Sequence, residues 1–238
     1  MTTPDARNDA RRRLIRFAAL GIAAYAVAMI ATIPASAVLK NRPWRAGISG
    51  TVWNGEVGIT GGGQAEWRWA PLRSIAGLGY AADWKLRGPD TELGGRAIAG
   101  FTSVVLDKVS GSANAGLISV LRPNLPFTCD MIAQIEMERM EMGGSGQMMQ
   151  ARVLSDPGSC GMRGMAAART QVPALLFTAE KTGNATRIRL APATQRMKTL
   201  IEGTLSPTGQ LELTLTPEGA QMLPFLPLPP GQPFRTTL

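Results

Sequence analysis

Most of the chain alternates apolar and polar residues with a period of two, which is typical of β-strands that bury one face. In the stretch 64–72, Trp67 and Trp69 fall on one face and charged side chains on the other, and Pro71 ends the run. The stretch 79–88 repeats the alternation most regularly. These patterns predict antiparallel strands joined by tight turns.

Two later regions predict β-hairpins. Residues 130–142 alternate up to a glycine pair at 143–144, and a second alternating run follows at 147–154. The composition of the first run also permits a helix, but the break favours a hairpin. Residues 199–217 predict another hairpin, closed by the turn sequence Ser-Pro-Thr-Gly at 206–209.

The pattern changes in two places. Residues 115–123 place apolar side chains at helical spacing and stop at Pro123, which predicts one short helix that caps the open end of the sheet. The proline-rich stretch 224–233 is incompatible with regular structure and should lie extended. It is either a docking strap for a partner or a terminal arm, and we favour the arm.

A charge-free run from Phe17 to Leu39 precedes the strands, and about 20 apolar residues suffice to cross a bilayer as a helix. Because arginines are enriched before this run, the N-terminus is expected in the cytoplasm and the large C-terminal part in the periplasm. The flanking basic residues are Arg7, Arg11, Arg12, Arg13 and Arg16 before the run, and Lys40, Arg42 and Arg45 after it.

A cleaved export signal is the alternative interpretation of this run. Ala35-Ser36-Ala37 fits the small-residue site of signal peptidase, and residues 10–16 loosely fit a twin-arginine signal. The apolar segment from Phe17 to Ile33 is, however, longer than the usual ~7 to 15 residues of a signal peptide. We therefore favour an uncleaved anchor, and both interpretations place the folded part across the inner membrane.

The stretch after the apolar run, GISGTVWNGEVGI, predicts the first hairpin, with a type I′ turn at Asn54-Gly55. Gly47 and Gly50 are expected to let the chain bend as it leaves the bilayer. Trp53 either anchors the core or lies at the membrane interface, and we favour the core.

Composition supports a β-rich domain and argues against several functions. Gly (27) and Pro (17) are frequent while charged residues are only 18%. The net charge of +8 is dispersed rather than clustered, which argues against nucleic-acid binding. Cys129 and Cys160 are the only cysteines, so in an oxidising compartment we expect a disulfide, with two buried thiols as the alternative.

The chain lacks the usual groups of a catalytic site. It contains no histidine, which excludes Ser-His-Asp and Cys-His arrangements and makes a zinc site with two cysteines implausible. Glu136, Glu138 and Glu141 are expected on a solvated face, and no Ser-Lys pair stands out. We therefore expect neither an enzyme nor a cofactor.

The order of these features resembles the N protein of bacterial type II secretion systems. That family has a short tail, one inner-membrane helix, a G-x-x-G-T-x-W-x-G element and then a W-x-x-x-P element. The first element corresponds to Gly47, Gly50, Thr51, Trp53 and Gly55, and the second to Trp67 and Pro71. The resemblance covers about residues 18–125, and the closing hairpin adds weaker support.

The expected fold is mainly β: one N-terminal transmembrane helix, then a periplasmic antiparallel sheet, open or partly closed and strongly twisted, with one short helix. We divide the chain into a cytoplasmic tail 1–16, a transmembrane helix 17–39, a periplasmic domain 40–222 and an arm 223–238. The resemblance implies a non-enzymatic accessory subunit that contacts other inner-membrane components of the secretion apparatus. The alternative hypothesis is a periplasmic module that binds lipid or another amphiphile.

Overall fold

A computed structural model describes residues 4–38, 44–121, 124–144, 146–164 and 169–237. The helices are α1 (Pro4–Ala31), α2 (Ala35–Val38), α3 (Pro71–Ala76), α4 (Gly116–Leu121) and α5 (Pro217–Met222). The strands are β1 (Arg45–Gly50), β2 (Asn54–Ile59), β3 (Gly63–Trp69), β4 (Tyr80–Gly88), β5 (Thr91–Ala99), β6 (Ser103–Asn114), β7 (Phe127–Asp130), β8 (Ile132–Gly143), β9 (Met148–Ser155), β10 (Gly158–Met162), β11 (Arg169–Val172), β12 (Leu175–Thr182), β13 (Ala185–Pro192), β14 (Ile201–Leu205), β15 (Gln210–Leu215) and β16 (Pro233–Thr237).

Thirteen of these strands form one antiparallel sheet in the order β1-β2-β3-β4-β5-β6-β8-β9-β12-β13-β14-β15-β16. The remaining three, β7, β10 and β11, form a small separate sheet. The prediction of a mainly antiparallel β domain is therefore confirmed. The alternating stretches 64–72 and 79–88 contain β3 and β4, and the two expected hairpins are β8–β9 and β14–β15.

Because neighbouring strands run in opposite directions, the connections fall on two rims of the large sheet. We call one the helix-side rim, because the loop between β1 and β2 on it meets the end of α1. It consists of loops 51–53, 70–79, 100–102, 183–184 and 206–209 and the turn between β8 and β9. The opposite or far rim carries the longer connections, which contain α4, the small sheet and α5.

The far rim is built around its own apolar core. Cys160, Val172, Leu200, Leu223 and Phe225 are buried together there. The expected disulfide is confirmed, since Cys129 and Cys160 are bonded across the paired strands β7 and β10. This second layer of structure closes one end of the sheet.

The C-terminal segment is more ordered than its prolines suggested. Leu223 and Phe225 belong to the far-rim core, and Pro233–Thr237 pairs with β15 as an edge strand. The prediction that 224–233 lacks regular structure is correct for residues 224–232 and wrong for Pro233, which begins β16. Pro233 is the first residue of this edge strand, a position that tolerates proline.

A row of irregularities bends the middle of the sheet. The register shifts between Gly94 and Arg96 in β5 and between Met137 and Arg139 in β8, and Lys108 of β6, which lies between them, has a φ of 51°. Bulges that line up across three neighbouring strands increase twist and curve the sheet.

The number of short helices differs from the prediction. The expected helix is present as α4, and its Leu117 and Val120 cover the apolar face of the sheet against Ile59 and Leu86. Pro123, the predicted stop, lies outside the described residues. The prediction of a single short helix is wrong, because α2, α3 and α5 also form. α3 and α5 each open with a proline in the first turn.

Candidate functional site

The N-terminal helix stands apart from the sheet. Its residues Arg11–Ala31 are long and apolar enough to cross a membrane, and none of them is buried against the rest of the chain. Arg11, Arg12, Arg13 and Arg16 are exposed toward its N-terminal end. The helix ends at Ala31, earlier than the end of the apolar run, because Pro34 disfavours α-helical geometry in the residue before it.

The end of α1 is fastened to the loop between β1 and β2. The indole Nε1 of Trp53 donates a hydrogen bond of 2.9 Å to the carbonyl of Ile30. The backbone N–H of Val52 donates to the carbonyl of Ile33 at 3.0 Å, and Pro34 and Thr51 form an isolated β-bridge. We call residues 30–35 and 51–53 together the joint.

Ala35 completes the joint. This residue is only 1% exposed, and α2, which it begins, lies against β1. Of the three residues that fit a signal-peptidase site, Ala35 is therefore buried in the folded domain, whereas Ser36 and Ala37 are exposed.

Aromatic side chains of β3 and β4 contact the loop of the joint. The ring of Trp53 lies 4.7 Å from that of Trp69 and 6.3 Å from that of Tyr80, centroid to centroid. The carbonyl of Val52 accepts two hydrogen bonds, from Nε1 of Trp67 at 3.1 Å and from the Tyr80 hydroxyl at 2.5 Å. Burial raises the pKa of Tyr80 above its ordinary value.

The Asn54-Gly55 turn predicted from the sequence is wrong. Both residues already belong to β2, and the reversal occurs at 51–53, where the N–H of Thr51 donates to the carbonyl of Asn54 at 2.9 Å. Gly50 supplies the positive φ, 84°, that this reversal needs. The hairpin itself is present as expected.

The remaining motif residues surround the same loop. A Cβ at Gly55 would lie 2.5 Å from the indole ring of Trp67, so only glycine fits beneath that ring. Pro71 opens α3, directly after Trp69 and Ala70. Gly47 has open space where a Cβ would point, and nothing in the structure explains its identity.

The sequence analysis singled out Trp53 and Trp67 but not the groups that accept their hydrogen bonds. The acceptors are backbone carbonyls of Ile30 and Val52, and carbonyls carry no sequence signal. Tyr80 lies in the alternating stretch 79–88, and its hydroxyl reaches from β4 to the loop between β1 and β2. A partly buried tyrosine normally finds such a partner, and that is the available signal.

An apolar cavity of about 310 Å³ lies near the far rim, between β2, β4 and α4. Ile59, Leu86, Leu117 and Val120 supply its apolar lining. Its volume is at the lower end of the ~300 to 1,000 Å³ typical of small-molecule sites. The charged residue in its lining is Arg87, which forms an ion pair with Glu66, so the cavity is a candidate ligand site with a mainly apolar wall.

The acidic residues do not gather into a site. Glu136 and Glu138 are exposed on β8, and Glu141 forms an ion pair of 3.1 Å with Arg139. Among the described ranges, no group of three or more His, Cys, Asp or Glu side chains could hold a metal ion.

The two edges of the large sheet are open along the described chain. β1 forms one edge and β16 the other, and every residue of β16 is exposed, including Phe234. Edge strands present unpaired N–H and C=O groups, to which another strand can add. In comparisons of this chain with protein-family models, curated proteins and solved structures, no match was found.

Proposed function

We propose that this chain is a non-enzymatic, inner-membrane-anchored accessory subunit of a type II (general) secretion system. It supports export of folded proteins from the periplasm across the outer membrane through protein–protein contacts. Its N-terminus lies in the cytoplasm, α1 crosses the inner membrane once, and the β domain lies in the periplasm. The observation that carries the proposal is the joint: Thr51 and Trp53, two of the residues behind the family resemblance, lie in it, and a third, Trp67, donates a hydrogen bond to its loop.

The joint favours an anchor that stays attached. Cleavage after Ala37 would remove Ile30, Ile33 and Ala35 from the folded protein. The Trp53 Nε1 and the Val52 N–H would then lose their acceptors, each at a net cost of about 0.5 to 1.5 kcal/mol. A signal peptide has no need of such contacts with the mature domain.

A fastened joint also suits an interaction subunit. Because the loop is held both to the helix and to three aromatic side chains, the sheet keeps a fixed orientation relative to the membrane segment. The open strands β1 and β16 are then presented at defined positions for pairing with a partner.

The proposal is tested by deleting the gene in a bacterium that uses this chain and following a secreted enzyme. We expect folded cargo to accumulate in the periplasm, and the intact chain to restore export. A chain with residues 1–37 replaced by a cleavable signal should restore export poorly. Unchanged export after deletion would overturn the proposal.

Contacts at the open edge are tested separately with a photo-crosslinking amino acid. Placed at Thr236 of β16, it should capture an inner-membrane component of the apparatus. The matched control is Glu180, which is exposed on the interior strand β12. Equal capture at both positions would argue against strand addition.

A periplasmic module that binds lipid or another amphiphile is the second candidate, favoured by the apolar cavity beneath α4. Mass spectrometry of residues 41–238, prepared without detergent, should then reveal bound lipid. A Val120→Asp variant should lose that lipid, whereas lipid equally retained by the variant would place it elsewhere.

A further inference from the structure

Four large apolar side chains are almost fully exposed on the helix-side rim. Leu72 is 82% exposed, Ile75 73%, Leu78 79% and Phe101 99%. Single exposed apolar residues are common on proteins, but a group at neighbouring turns marks an interaction surface.

These four residues lie next to the joint. Leu72, Ile75 and Leu78 belong to α3 and the turn after it, which connect Trp69 to Tyr80, the two aromatic residues that contact Trp53. Phe101 follows Ala99, which pairs directly with Tyr80. The exposed apolar group thus occupies the two turns closest to the end of α1, and we call it the apolar rim patch.

Farther from the joint, the same rim is polar. The turn between β12 and β13 is Gly183-Asn184, and the turn between β14 and β15 contains Ser206, Thr208 and Gly209. The apolar rim patch is therefore confined to the part of the rim beside the membrane helix.

The backbone of Leu78 adopts an unfavourable conformation, which indicates that the apolar side chain at this position has a function. Its φ is 46°, a left-handed conformation that costs a leucine about 1 kcal/mol or more relative to glycine. Glycine or asparagine would serve this turn better, and the leucine side chain gains little burial within the chain in return.

The end of α1 identifies what covers the patch. The span Arg11–Ala31 is long enough to cross the roughly 30 Å of hydrocarbon in a bilayer, so that its end at Ala31 lies near one face of the membrane. Because the joint fixes the sheet at Ile30, the neighbouring rim is held at the same face.

We propose that Leu72, Ile75, Leu78 and Phe101 insert into the periplasmic interface of the same bilayer that α1 crosses. The inference rests on the anchor of the proposed function. It adds a second point of contact with lipid, so the sheet stands inclined, with its β3–β6 corner on the membrane and its polar turns raised away. Aromatic and apolar side chains at such a depth gain by burial in the headgroup boundary.

The test places single cysteines in the full-length chain reconstituted in vesicles of phosphatidylethanolamine and phosphatidylglycerol. Ile75→Cys and Phe101→Cys report on the patch. The matched control is Met197→Cys, since Met197 is 90% exposed but lies on the far rim. Cys129 and Cys160 are bonded to each other and do not react with the label.

Each label is an environment-sensitive fluorophore, challenged with iodide in the water and with a nitroxide carried on the lipid. We expect several-fold stronger quenching by the lipid nitroxide at 75 and 101 than at 197, and the reverse order with iodide. An Asn184→Cys label on the polar part of the rim should behave like the one at 197. Equal quenching at 75, 101 and 197 would overturn the inference.

Flotation of the same vesicles separates the two possible failures. If the chain floats and resists carbonate but all labels remain open to iodide, the anchor stands and the rim contact is refuted. If the chain does not float with the vesicles, the anchor is refuted and the rim contact with it. An unchanged melting temperature for each cysteine variant shows that the variant is folded, so that differences in quenching report the position of the label.

Discussion

The indole ring of Trp67 rests directly on the backbone of Gly55, so that a Cβ there would lie 2.5 Å from its Cζ2 atom. The same Cβ would lie 2.7 Å from the carbonyl oxygen of Ser49 on the neighbouring strand. Since the ring also donates to Val52, its position and that of the loop are linked.

Gly55→Ala should therefore destabilise the β domain. A methyl group at this position pushes against a ring and a backbone oxygen, and overpacking of this kind costs about 1 to 3 kcal/mol. Gly47→Ala is the matched control, because a methyl group on this glycine of the same motif would have no atom within 4 Å. Denaturant unfolding should show a loss for Gly55→Ala only, and equal losses would refute the steric explanation.

Trp53→Phe should loosen the end of α1 while keeping most of the aromatic contact. The change removes the Nε1–Ile30 hydrogen bond, at a cost of about 1 kcal/mol. Faster amide exchange at residues 30–35 is the expected result. Trp84→Phe is the control, because the described chain offers Nε1 of Trp84 no hydrogen-bond partner, and exchange at the joint should then stay unchanged.

Reduction of the disulfide should weaken the far rim. The bond spans a sequence separation of 31, and opening such a loop costs about 3 to 4 kcal/mol in the chain-entropy model. Cys160 is also part of the apolar core there. Melting temperatures with and without reductant measure the loss. In both conditions a Cys129→Ser/Cys160→Ser variant should show the lower melting temperature of the reduced protein.

Alkaline pH should destabilise the joint through Tyr80. Burial raises the pKa of Tyr80 above its ordinary value of 10.0, so above that pH the unfolded chain releases a proton that the folded chain retains. Its contribution is intact below pH 10 and is lost as the pH rises toward the raised pKa. In Tyr25→Phe, Tyr80 is the sole tyrosine, so tyrosinate absorbance follows it alone. Titration at the ordinary value would contradict a buried phenol.

Local alternation was sufficient to predict strands such as β3, β4 and the β14–β15 hairpin, because each buries one face against its neighbours. The disulfide followed from the cysteine count alone. The small sheet of β7, β10 and β11 was not predictable, since its strands are short and β7 pairs with β10 about 31 residues later in the chain.

The joint shows the same limit at one position. Asn54-Gly55 has the composition of a tight turn, but the glycine is required by the ring of Trp67 above it. The chain reverses at 51–53 instead. Gly50, just before this loop, has the positive φ, and the carbonyl of Val52 accepts hydrogen bonds from two side chains. Tertiary contacts with β3 and β4 therefore decided the turn against its local preference.

The order of strands in the large sheet also determines how the protein can form. Apart from the strands diverted into the small sheet, each one pairs with the strand that precedes it along the chain. Pairings between successive strands need only short chain closures and form quickly. The large sheet can thus form strand by strand along the chain, whereas the pairing of β7 with β10 and the far-rim core around Cys160 require segments that follow later in the sequence.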